Sequence, residues 1–263
     1  MRRAMPRRQF ALSRSVMALI LREMSSTYGR SPGGYIWAIL EPVAAIAIFS
    51  VAFGAMNFSP PLGESFALFF ATGFLSLSLY QDLAIKVGGA IRYSGPLLAY
   101  PNVTYIDAII GRVLLSFLTQ AMIFFIIVTS AIQIGDLYLI IDYIAIARAF
   151  GMALALGIGI GLVNCFLMSM FPIWQFIWAV LNRPLFIISG VLFLVDDLPE
   201  AMRDIVMLNP VAHVVSMMRS GLYVTYDAVY VSEVYVYMVA GTLAVTGLIL
   251  LHRYHRIILD EGG

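Results

Sequence analysis

Five charged side chains lie inside or at the edges of long apolar stretches: Glu41, Asp82, Arg112, Arg148 and Arg183. A charge at the centre of a bilayer costs about 2.5–3.5 kcal/mol on insertion scales, so such a residue faces a partner or a wet pathway. Arginine adds a planar fork of donors that matches carboxylate and phosphate oxygens. Glu41 precedes Pro42, which should kink its helix because proline lacks the N–H and crowds the preceding turn. Two readings stand side by side. Arg112, Arg183 and Glu41 line a polar path, or the arginines snorkel to the interface and Glu41 belongs to a structural Glu–Arg pair.

Other chemistry is largely ruled out. A phosphate-binding loop needs a glycine-rich turn ending in Gly-Lys-Ser/Thr, so that backbone amides and the lysine hold the phosphates. The sole lysine is Lys86, followed by Val87. The chain is therefore expected to be no enzyme and to carry no cofactor or metal, and ATP-driven work would need ATP and magnesium on a separate subunit. Asp196-Asp197-Leu198-Pro199-Glu200 has the composition of the acidic metal motif of prenyl transferases, where paired carboxylates hold magnesium against a diphosphate. No second acidic cluster faces it, and Asp197 is expected instead to cap a short helix starting near Leu198-Pro199. His252 and His255 fit a basic tail. Cys165 has no partner cysteine and reads as a small apolar core residue. Gly157 and Gly161 form a small-xxx-small pair that lets another helix approach closely. Most of the many aromatics read as interfacial anchors, with Trp37 and Trp178 among those able to stack on sugar rings.

The elements that must position these residues follow from composition. Of 263 residues, 61% are hydrophobic and 12% charged, against about 25% charged in soluble domains. Lipid can solvate so apolar a chain. The net charge of +1 implies no bulk attraction to nucleic acid. The expected fold is all-α integral membrane, a single domain over 1–263, with spans at 35–58, 66–87, 105–134, 143–171, 174–194 and 234–251. Residues 9–30 form an amphipathic interface helix, with Val16, Ile20, Met24 and Tyr28 recurring every four residues. Residues 196–233 read as a helical hairpin dipping in from the outer face, because Asn209-Pro210 breaks the apolar run and His213 and Arg219 lie within it. Arginines 2, 3, 7, 8, 14, 22 and 30, Lys86 with Arg92, and Arg253 with Arg256 put both termini in the cytoplasm. No apolar run follows the first arginines, so a cleavable signal peptide is not expected.

Three stretches carry a family resemblance: Leu21-Arg22-Glu23 through Tyr28-Gly29-Arg30 to Gly34-Tyr35-Ile36-Trp37-Ala38-Ile39-Leu40-Glu41-Pro42; Ile106-Asp107-Ala108-Ile109-Ile110-Gly111-Arg112; and Leu208-Asn209-Pro210-Val211-Ala212-His213-Val214-Val215 with Arg219. Their order resembles the membrane subunits of type-2 ABC exporters for polysaccharide, and Glu41-Pro42 the capsular branch of Gram-negative bacteria. The resemblance implies an inner-membrane permease of two copies, with two ATP-binding subunits beneath. Arg92, Gly95, Pro96, Leu97, Leu98 and Pro101, with Phe171 and Pro172, would meet the ATPases. Asn209, Pro210, His213 and Arg219 would belong to a periplasmic gate. It further implies a periplasmic copolymerase, an outer-membrane channel, and an acidic lipid-linked polysaccharide as cargo, which would give Arg112 and Arg183 a reason to face the pathway. The rivals are the same architecture exporting O-antigen, teichoic acid or a drug, a membrane-embedded transferase, and an ion channel. A transferase wants clustered carboxylates or a His/Asp pair on one face, and a channel wants a filter or a pore-lining polar helix.

Overall fold

The computed structural model describes residues 17, 20–21, 34–56, 58–98 and 104–261. The expected interface helix over 9–30 lies almost wholly outside the described residues, as does Pro101. All described regular structure is helical. Among the described residues, five helices are long and apolar enough to cross a membrane: α1 (Gly34–Ala55), α2 (Phe66–Gly88), α4 (Tyr105–Ile134), α5 (Tyr143–Met170) and α10 (Glu233–Glu261). The short α3 (Ala90–Leu98) follows α2 directly. Lengths of 22 to 30 residues give about 33–45 Å at 1.5 Å per residue, against a hydrocarbon core of about 30 Å.

The starts of these helices are written locally. The Ser65 hydroxyl accepts from the Leu68 N–H at 3.4 Å. Thr104 and Asp107 form a reciprocal capping box. The Asp142 carboxylate accepts from the Ile144 and Ala145 N–H groups. Each satisfies donors that the first turn leaves unpaired.

The centre is α2, enclosed by α1, α4, α5 and a shorter helix, α9 (Pro210–Leu222), while α10 lies along α5. The close approach expected at the glycines is present. A Cβ on Gly157 would meet Leu83 Cβ at 2.5 Å, and one on Gly161 would meet Val87 Cβ at 2.6 Å. Gly159 turns the other way, onto the Ala240 carbonyl of α10, and Gly247 of α10 presses on Leu162. With no aqueous hydrophobic drive between helices in lipid, such contact of backbones supplies the packing. Cys165 is fully buried, as expected of a core residue.

Two expectations are corrected. The apolar segment 174–194 is not one helix. It forms α6 (Trp174–Asn182), a break at Arg183-Pro184, and α7 (Leu185–Ile188). Beyond, Gly190 takes a φ of +73°, open to glycine at no steric cost, and the chain runs non-helically to a 3-10 turn at Val195–Asp197. Pro184 removes one helical N–H, and Gly190 ends the helix. The second correction concerns Asp197, which is exposed and caps nothing: α8 (Glu200–Met207) starts after Pro199 without a side-chain cap. Helices α8 and α9 meet at 101°, and together they pass as a sixth, broken apolar segment.

Candidate functional site

At the end where α2 meets α3, Gly89 closes α2 by donating its N–H to Ile85 O at 2.9 Å. Arg112 of α4 fills this joint. It is buried, its Nη1 donates to the Lys86 carbonyl at 2.7 Å, and its guanidinium lies 4.4 Å from the Tyr93 ring centroid on α3. Asp82 pairs with Lys86 at 3.0 Å, one turn along α2, and accepts a hydrogen bond from Ser116 of α4. Arg112 therefore ties three helices together rather than standing in an open path. Glu41 is exposed and takes part in neither described ion pair, which are Lys86–Asp82 and Arg148–Glu233.

The two stretches expected to meet an ATPase share this end. Arg92 of α3 donates to Gln175 Oε1 of α6 at 3.0 Å, one turn after the exposed Phe171 and Pro172. Trp174 Nε1 donates to Asn164 Oδ1 of α5 at 2.9 Å, anchoring the start of α6. Gly95, Pro96, Leu97 and Leu98 all lie within α3.

The other residues expected along a path are dispersed. Trp37 and Glu41 are exposed one turn apart on α1, and Arg183 is exposed at the α6–α7 break. Trp178 is half-buried, and its Nε1 and the Asn182 Oδ1 are buried without hydrogen-bond partners among the described residues. Phe186 of α7 contacts Phe49 of α1, with centroids 5.3 Å apart, so the broken segment lies beside α1.

At the opposite end, Asn209, Pro210, His213 and Arg219 form one connected group. Asn209 caps α9 through the Val211 N–H at 3.0 Å and donates to Ser189 Oγ at 2.9 Å. Pro210 takes the first helical position, where its missing N–H goes unneeded. His213 is buried. Its Nδ1 accepts from the Ser232 N–H at 3.1 Å, so Nε2 carries the proton that bonds Met207 O at 2.9 Å. Arg219 is the largest fully buried side chain. Its Nη1 donates to Phe193 O and its Nη2 to Val191 O, both at 2.8 Å, and the guanidinium covers the Phe69 ring at 4.1 Å. It thus satisfies the carbonyls that the non-helical 191–194 stretch leaves open. Unwound backbone inside a membrane protein is tolerated only when so covered. Asp196 accepts from the Tyr226 hydroxyl at 2.6 Å, and no group of three or more metal-ligating side chains occurs among the described residues.

Sequence reasoning missed Gln175, Tyr93 and Ser116, whose partners are distant in the chain. The Asp82–Lys86 pair was missed as well, although its spacing of one helical turn is a signal that could have found it.

Residues 14–223 match the family model described as ABC-2 type transporter. The chain is 29% identical to the polysialic acid transport protein KpsM of Escherichia coli over 94% of its own length and 96% of the relative's. It is 24% identical to the capsule polysaccharide export inner-membrane protein CtrC of Neisseria meningitidis serogroup B, covering 94% and 93%. It is 25% identical to the capsule polysaccharide export inner-membrane protein BexB of Haemophilus influenzae, covering 82% and 83%. With a family match over most of its length and an all-helical body of membrane-length helices, the chain belongs to the ABC-2 type transporter membrane family.

Proposed function

We propose that this chain is the inner-membrane permease of an ATP-driven exporter that carries lipid-linked, acidic capsular polysaccharide out of the cytoplasm. The observation that carries this reading is the end-to-end likeness, at nearly equal length, to proteins named for polysialic acid transport and capsule polysaccharide export. The permease acts as two copies. Two separate ATPase subunits supply the hydrolysis for which this chain has no phosphate-binding loop, and a periplasmic copolymerase and outer-membrane channel carry the product onward.

In this reading both termini are cytoplasmic, α6–α7 is a broken fifth span, and α8–α9 is a re-entrant pair on the periplasmic side. Helix α3 and the turn at 171–173 face the ATPases. The Arg92–Gln175 bond supports treating them as one contact surface. Helix α1 presents Ile36, Trp37, Leu40, Val43, Ile48 and Val51 outward, a face available to the second copy. Polysialic acid is a polyanion, and in this reading the exposed Arg183 would meet such a cargo. The test is reconstitution: the tagged chain should co-purify with an ATP-binding subunit, and an acidic lipid-linked polysaccharide should raise hydrolysis in proteoliposomes. Co-purification with no ATPase, or equal stimulation by a neutral polymer, would overturn the reading.

A further inference from the structure

Where the last turns of α10 pass the start of α4, a groove of about 440 Å³ opens between Tyr105 and the side chains Leu248, Ile249, His252 and Arg253. Its walls change character along one direction. Leu248 and Ile249 are exposed and apolar, and one helical turn further on stand His252 and Arg253, both exposed. A turn is about 5.4 Å, so the groove crosses from apolar to ionic wall over the width of an interfacial layer. Tyr105, an aromatic with a polar tip, completes the third side, as is usual at membrane interfaces.

We propose that this groove is a binding site for the anionic headgroup of a membrane phospholipid, with Arg253 and His252 on the phosphodiester and an acyl chain against Leu248 and Ile249. The argument is one of complementarity. A guanidinium forks onto two phosphate oxygens, and basic pockets between transmembrane helices are a recurrent way of holding acidic lipid headgroups. A free anion would use the cations but would leave Leu248 and Ile249 unexplained. An uncharged chain would use the apolar wall but not the charge of Arg253, whose guanidinium otherwise lies 5.6 Å from the Tyr254 ring centroid. Only an amphiphile with a negative head uses both. The groove is separate from the α3–α6 contact and from the Asn209–Arg219 group, so the proposal stands whatever the exported cargo.

The experiment uses the full chain in mild detergent and native mass spectrometry. With equal phosphatidylglycerol and phosphatidylcholine, the unaltered protein should retain several-fold more of the former. The double variant His252→Gln/Arg253→Gln should lose that preference. Arg148→Gln, which removes one positive charge near the far end of α5, should keep it. A preference that persists in the double variant would overturn the site. Displacement of phosphatidylglycerol by millimolar inorganic phosphate would show an anion site instead and overturn the lipid assignment. Photo-crosslinkable phosphatidylglycerol on the unaltered protein gives a readout free of folding effects. Adducts on peptides bearing Tyr105 or 248–253 support the proposal, and adducts only elsewhere refute it.

Discussion

Helices α1 and α2 are neighbours of almost equal length, yet they live in different surroundings. In its most apolar stretch, 72% of α2 is buried inside the chain, against 11% of α1. The more buried helix is also the less apolar of the two, since α2 carries Thr72, Ser76, Asp82 and Lys86. In a soluble protein the order would be reversed. Here the apolar surface faces lipid or another chain, and the interior is held by close contact and by polar groups that find partners.

The largest expected effect breaks the interior side of that comparison. Gly157→Leu would drive a side chain into Leu83, whereas Gly54 of α1 and Gly241 of α10 have nothing within 4 Å of an added Cβ. Overpacking typically costs roughly 1–3 kcal/mol where side chains can give way, and more where they cannot; here backbone must separate. Gly157→Leu should abolish most of the monodisperse protein recovered in detergent, while Gly54→Leu and Gly241→Leu leave the yield unchanged. Equal damage from Gly54→Leu would mean that α1 is packed against a partner.

Next in size is Arg219→Leu, which strips the donors from two buried carbonyls at about 1–3 kcal/mol each. A clear fall in Tm is expected, with Arg219→Lys falling less because a cation with donors remains. An unchanged Tm for Arg219→Leu would remove the clamp on residues 191–193. Arg183→Gln belongs to the exposed side. It should leave Tm in place and lower export of an acidic polymer at matched membrane abundance, with Arg183→Lys partial because the bidentate fork is lost. Wild-type export by Arg183→Gln would deny it a cargo contact. The smallest effect is the coupling of Arg92 to Gln175. A double-mutant cycle with alanine should give roughly 0.5–1 kcal/mol, the low end of the range for a protein hydrogen bond, and the informative quantity is cargo-stimulated hydrolysis. Additive losses would mean that the two helices do not act together.

The long helices were legible because their signals are local. The expected span 105–134 coincides with Tyr105–Ile134, and 66–87 falls one residue short of Phe66–Gly88. Ser65, Thr104 and Asp142 mark the starts by side-chain capping. The segment 174–194 was misjudged because hydropathy measures solvation by lipid and is silent on whether backbone bonds close within the segment. The donors that make an unwound stretch tolerable come from Arg219, a helix away. Arg112 shows the same limit. Its depth in an apolar run was readable, but its acceptor is the carbonyl of Lys86, and no carbonyl is distinguished from another in a sequence. Asn209, His213 and Arg219 were legible only as neighbours in the chain, and their contacts with Ser189, Met207 and Phe193 were not.

The clamp at Arg219 also fixes an order of assembly. Its two acceptors precede it by 26 and 28 residues, and a chain is built from its N-terminus. When Val191 and Phe193 are synthesised, their donor does not yet exist. The stretch after Ile188 must therefore wait, sheltered by water, lipid headgroups or the insertion machinery, until α9 arrives. A chain cut between the two would present unpaired carbonyls in the membrane, a mark by which quality control can tell an unfinished copy from a finished one.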